Sequence, residues 1–177
     1  MDLHTERVAG RRPTEADAPA YRTLLLDPEV ERWLRPHPHP QFTAEEAEEL
    51  LERDLRHWQV HGYGPWVLED AEDGTFVGRA GLVHTAIAGE SVVELVWALV
   101  PSGWGRGLAT EVAKGSLAAA ADLGVSEVVS LTMVENVASR RVMEKAGMRY
   151  AGDIGHAGLP HVLCRASVRR RPPAAWG

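Results

Sequence analysis

Two early stretches of the chain place apolar residues at helical spacing. Thr14, Glu15 and Asp17 open the first, and Tyr21, Leu24 and Leu25 carry it to Asp27 and Pro28. The second begins at Thr43 with Glu46 three residues on, a capping box, and Ala47, Leu50, Leu51, Leu55 and Trp58 form one apolar face that ends near His61 and Gly62. Between them LRPHPHPQF holds three prolines, which exclude both helix and central strand and leave an ordered loop or a lid.

From residue 66 the pattern changes. WVLE at 66–69, turn residues at 72–74, and strand-forming residues at 75–78 and 81–83 predict a hairpin. VVELVWALV at 92–100 is the strongest strand pattern, and its near-continuous apolar run predicts cover on both faces. Helical spacing returns over 107–123 through Leu108, Val112, Ser116, Ala119 and Leu123, and alanines at 113, 118, 119, 120 and 121 let this helix lie close on a sheet. A strand follows at 128–134. Asn136 caps a short helix closed by Gly147, and two last strands fall at 148–152 and 161–168.

Length and charge narrow the reading. The 177 residues suit one domain, over 1–168, followed by a short basic tail at 169–177 that carries RRRPP. One cysteine, Cys164, excludes an internal disulfide framework and leaves too few thiolates for a structural zinc site. The charged start, MDLHTERVAGRRP, and the lack of any long apolar run predict a cytoplasmic protein without a membrane span. Nineteen Lys and Arg against 25 Asp and Glu give a formal net charge of -6, which opposes nucleic-acid binding and favours a basic or neutral partner.

The junction SGWGRGLATE, at 102–111, has three glycines in five residues between a predicted strand and a predicted helix. Such a turn points free backbone N–H groups and the positive end of a helix dipole at one spot, which suits an anion. A nucleotide P-loop would need Lys followed by Ser or Thr where Leu108 and Ala109 stand. The dinucleotide pattern fails at its sixth place, Leu108. A plain tight turn remains the alternative.

WGRGLA resembles the pyrophosphate loop of the GNAT N-acetyltransferase superfamily, with Gly107 and Ala109 at its small positions. Trp104 replaces the usual Gln or Arg, as in the branch that resembles Rim-type ribosomal-protein N-acetyltransferases. TEADA at 14–18, DPEVERWL at 27–34, ENVASRRVMEKAGM at 135–148 and GLPHVLCRAS at 158–167 are similar to that branch in the same order, so the resemblance spans nearly the whole chain. It implies an α/β (α+β) fold: a mixed, mostly antiparallel sheet of six to seven strands flanked by about four helices. It further implies acetyl-CoA as cosubstrate and a primary amine, on a small molecule or a peptide N-terminus, as acceptor. The resemblance is also compatible with a homodimer.

The resemblance places cofactor binding on Leu99, Val100, Trp104, Gly105, Arg106, Gly107, Leu108, Ala109, Thr110, Asn136 and Ser139. Arg106 would add charge at the pyrophosphate, and Leu99 and Val100 would pair with the pantetheine arm. Asn136 serves as helix cap, cofactor partner, or both. Backbone N–H groups near 96–99 would hold an oxyanion. Catalytic roles fall on Glu94 and Ser139. A carboxylate within a buried strand has a raised pKa and suits a general base, although a salt-bridged structural role stays open for Glu94. Glu135 is more readily a partner of the helix dipole. Trp33, Phe42 and Trp97, with the loop at 155–160, would wall the acceptor.

Two departures matter. Many superfamily members carry a tyrosine acid seven residues after the asparagine; Met143 stands there and donates no proton. That gives weight to a non-catalytic acyl-CoA-binding module as the alternative. Cys164 replaces a frequent aromatic residue and reads as a small buried side chain, since His161, three residues away on a strand, faces the other side. His37-Pro38-His39 offers two imidazoles and no nearby carboxylate, which is too little for a metal site.

Overall fold

The computed structural model describes residues 1–35 and 38–169. His37 and most of the basic tail therefore lie outside the described residues. Two short strands, β1 (Leu3–His4) and β2 (Val8–Arg11), lead through a single turn of 3-10 helix into α1 (Ala18–Leu25), α2 (Pro28–Leu34) and α3 (Ala44–His61). Then come β3 (Pro65–Asp70), β4 (Phe76–Ile87), β5 (Glu90–Leu99), α4 (Leu108–Asp122), β6 (Glu127–Met133), α5 (Val137–Lys145), β7 (Arg149–His156) and β8 (Leu159–Ser167).

The signals read from sequence fix the helix ends. Thr43 Oγ1 accepts from the Glu46 N–H at 3.2 Å while Glu46 Oε2 accepts from the Thr43 N–H at 2.9 Å, and Gly62 stops α3 with φ of 73°. Asn136 Oδ1 accepts from the Ser139 N–H at 3.0 Å, and Gly147 closes α5 at φ 91°. α2, unpredicted by periodicity, is set by Asp27, whose Oδ1 accepts from Glu29 and Val30, and by Pro28 in its first turn.

All eight strands join one sheet in the order β1-β2-β3-β4-β5-β6-β8-β7. Every pairing is antiparallel except that of β5 with β6. The mixed α/β class stands, with eight strands and five α-helices among the described residues in place of six to seven and four. The difference lies in β1, β2 and α2, which are too short to show a period. The 155–160 segment also departs from expectation: it is the tip of the β7–β8 hairpin, turning at Ala157 and Gly158 with positive φ at both.

α4 lies on one face of the sheet, with Leu108, Val112, Ala113 and Ala120 buried against Ala80, Leu82, Leu95 and Leu99. The opposite face of β4 meets α1 and α3 through a buried polar knot. Arg79 forks onto both carboxylate oxygens of Asp54, and the Tyr21 hydroxyl donates to Asp54 Oδ2 at 2.6 Å.

Candidate active site

β5 and β6 run parallel yet pair only at Glu94 and Val129. Past that point they diverge. The expectation that β5 is covered on both faces is corrected here: Leu95 and Leu99 are buried, but Glu94, Val96, Trp97 and Ala98 are only half-buried, because the divergence opens a cleft of about 580 Å³ beside them. It runs from the 103–110 turn and α5, past the split strands, to α2 and the β7–β8 hairpin.

At one end stands the glycine turn. Gly105 and Gly107 have φ of 70° and 82°, a region that side chains other than glycine rarely adopt. Among the described residues, no hydrogen bond engages the backbone N–H groups of Gly105, Arg106, Gly107, Leu108 or Ala109; those of Thr110 and Glu111 both return to the Gly107 carbonyl. Five successive free donors at the start of α4 make a nest for an anion. Gly105, Gly107, Leu108, Ala109 and Thr110 line the cleft together with Trp104, whose Nε1 donates to the Leu99 carbonyl at 2.8 Å.

Two sequence expectations fail at this end. The Arg106 guanidinium turns to Asp70, 3.4 Å away, and does not line the cleft, so Arg106 offers its backbone N–H alone. Val100 donates to the Val77 carbonyl and accepts from the Gly103 N–H, so its backbone is committed to the fold and the open stretch of β5 is that of Trp97 and Leu99. Alternation along an antiparallel pair explains this: Val100 faces β4, and Leu99 faces the gap. Cations absent from the sequence reading appear instead on α5. Ala138, Arg141, Val142 and Lys145 share the helix face toward the cleft, a spacing that was legible once that face was known.

Midway, Glu94 sits where β5 and β6 part, and burial pushes its carboxyl up to about 7, against the opposing pull of Arg79. Asn136 and Ser139 line the opposite wall. Met143 is buried in the core with Leu82 and Leu95, outside the cleft, so that position supplies no proton donor. Cys164 lies in the same core cluster, while His161, on the other face of β8, lines the cleft.

At the far end Val30, Trp33 and Leu34 of α2 face the cleft. Phe42 does not: its ring packs under the Arg35 guanidinium at 3.8 Å, and its N–H bonds to the buried Glu31 carboxylate. His156, within the 155–160 segment expected at the acceptor wall, and His161, missed as a cleft residue, meet edge-to-face at 5.4 Å. The His161 Nδ1 lies 3.0 Å from the Leu159 carbonyl, and partial desolvation with the neighbouring His161 holds the His156 imidazole below its usual pKa. Among the described residues, no helix is long and apolar enough to cross a membrane.

A split parallel pair, a glycine nest at a helix start and a carboxylate at the vertex define a class, and comparison with known proteins agrees. Residues 7–149 match the acetyltransferase (GNAT) domain family, to which this chain belongs. It is 30% identical over 158 residues to the uncharacterized protein YkkB of Bacillus subtilis (strain 168), covering 86% of this chain and 87% of that one. An acetyltransferase from Agrobacterium tumefaciens superposes with a TM-score of 0.79 at 26% identity, over 94% of each chain. RimL, a ribosomal α-N-protein acetyltransferase in complex with coenzyme A, shares the fold with a TM-score of 0.77 at 18% identity, over 95% of this chain and 98% of its own.

Proposed function

We propose that this protein transfers an acetyl group from acetyl-CoA to a primary amine by direct attack within a ternary complex. The observation that carries the reading is the position of Glu94 at the vertex of the strand split, midway along a continuous cleft that has the 105–109 nest at one end. The residues fit the cosubstrate. Five free N–H groups suit its pyrophosphate, Arg141 and Lys145 are placed for its remaining charge, and the Trp97–Leu99 stretch offers backbone groups to its amide-bearing arm.

When bound, acetyl-CoA supplies a thioester carbonyl activated for attack. Glu94, with a pKa near 7, takes a proton from the incoming ammonium or amine, directly or through one water. The N–H groups of Trp97 and Leu99, on the open side of β5, are the donors for negative charge on the carbonyl oxygen. Ser139 donates toward the departing sulfur, the role Met143 does not fill, and Asn136 holds the first turn of α5 through the Ser139 N–H. The C–N bond forms, the C–S bond breaks, and coenzyme A leaves as thiol.

Calorimetric titration with acetyl-CoA and with free CoA tests the donor half, repeated on Gly107→Glu, which forces a side chain onto a φ of 82° and adds a carboxylate beside the nest on the side of Arg7. Micromolar binding lost in the variant supports the reading; no binding by the wild type removes it. A non-catalytic acyl-CoA-binding module is separated by thiol release with a panel of amines: such a module releases none.

A further inference from the structure

Charge is distributed unevenly along the cleft. Glu94 is the single acidic side chain lining it among the described residues, against Arg141 and Lys145 and the imidazoles of His156 and His161. Glu29, Glu135 and Asp153 are exposed and do not line the cleft, and four further acids of the surrounding elements are paired. Glu31 accepts from the Phe42 N–H, Glu46 pairs with Arg35 at 2.8 Å, Glu48 with Arg22 at 2.6 Å, and Asp54 with Arg79. The wall is instead apolar and aromatic: Val30, Trp33 and Leu34 on α2, with Leu34 43% exposed, and Leu131 and Met133 on β6. Arg32 lays its guanidinium 4.8 Å from the Trp33 ring centroid, which adds positive charge at the rim.

From this distribution we infer, resting on the acetyl-transfer reading above, that the acceptor is an amine with one basic centre next to an apolar or aromatic body, and that polycationic amines are excluded. A second or third ammonium entering this cleft would shed its water without meeting a carboxylate, and desolvated charge without a partner is costly. The one carboxylate present cannot serve as a standing counter-ion, because as the base it is neutralised by the proton it removes. An apolar body finds in Trp33 and Leu34 a surface that gains from being covered. The same chemistry occurs in a free arylalkylamine and in an apolar N-terminal residue of a peptide.

The experiment measures thiol release from acetyl-CoA with 2-phenylethylamine, phenylalanyl-glycine amide, spermidine and a deoxystreptamine aminoglycoside. At least one of the first two should exceed both polycations in kcat/KM by about 10-fold or more, and which of them leads distinguishes the free amine from the peptide terminus. Leu34→Glu, at an exposed position, should narrow the gap by raising spermidine turnover, and Trp33→Ala should raise KM for phenylethylamine while leaving acetyl-CoA affinity unchanged. Equal or better turnover of spermidine or the aminoglycoside overturns this inference and leaves acetyl transfer standing. Thiol release with none of the four overturns both.

Discussion

Arg7, in the turn between β1 and β2, reaches across 104 positions of sequence to grip Glu111 in the first turn of α4. Its Nε and Nη2 donate to Glu111 Oε2 at 2.9 and 2.7 Å, its backbone N–H donates to Oε1 at 2.7 Å, and its Nη1 donates to the Arg106 carbonyl at 2.9 Å. The N-terminal strands thereby fasten the glycine nest from behind. Arg7→Ala should weaken acetyl-CoA binding several-fold and lower stability by about 1 kcal/mol, the upper range for a partly exposed pair. Titration calorimetry alongside thermal unfolding checks this, and unchanged affinity would show that the nest holds its shape unaided.

Gly105 offers a cleaner probe of backbone conformation. A Cβ built there meets no atom within 4 Å, so any effect of Gly105→Ala comes from its φ of 70°. The left-handed cost of about 1–2 kcal/mol should appear as roughly tenfold weaker acetyl-CoA binding. Gly105→Asn should bind better than Gly105→Ala, because asparagine visits this region more readily; the reverse order would point to a side-chain effect.

Glu94→Gln should lower kcat by about 100-fold or more with acetyl-CoA affinity retained. In the wild type kcat/KM should rise with pH through about 7, as the base loses its proton. The linked stability has the opposite sign. A carboxyl whose pKa is raised on folding favours the folded state below its unfolded value near 4.5, and that contribution is lost as pH climbs through about 7. Glu94→Gln should therefore gain on the wild type between pH 4.5 and 8, by up to about 3 kcal/mol. Denaturant titration at both ends reads it directly.

Asp54 holds Arg79 away from Glu94. The Arg79 and Asp54 side chains are only 11% and 5% exposed, so Asp54→Asn strands a buried guanidinium and should cost about 3–5 kcal/mol. Arg79, released toward Glu94, should also shift the ascending limb of the pH–rate profile to lower pH. A destabilised variant with an unmoved limb would mean that the Arg79 side chain stays packed against α3.

A second pH dependence arises outside the cleft. His57, on α3, has its Nδ1 2.8 Å from the Tyr63 carbonyl, and its Nε2 accepts from the His84 backbone N–H at 2.7 Å. Nδ1 donates to that carbonyl in either protonation state, but the acceptance at Nε2 requires the neutral ring. Burial lowers its pKa, opposed by the Tyr63 carbonyl and aided by His61 and His84, with Asp54 pulling the other way. A histidine lowered on folding stabilises the fold above its unfolded value near 6.5, and that stability is lost as pH falls below it. His57→Gln, which can both donate and accept, should flatten the loss between pH 6.5 and 5 in thermal melts.

The sequence by itself determined the local features. Capping residues at Thr43 and Asn136, stop glycines at 62 and 147, the small-residue face of α4 and the glycine pair at 105 and 107 act within a few residues of chain, so their physics is readable in one dimension. Glu94 was legible for the same reason, as a charge inside an apolar strand. Strand divergence was not. That β5 and β6 pair at one point and then part depends on two segments 35 positions apart, and it decides which face of β5 opens to the cleft. Side-chain direction was equally hidden: Arg106 and Phe42 turn to Asp70 and Arg35, whereas Arg141, Lys145 and His161 turn inward. Such choices depend on partners brought close by folding, which spacing along the chain does not record.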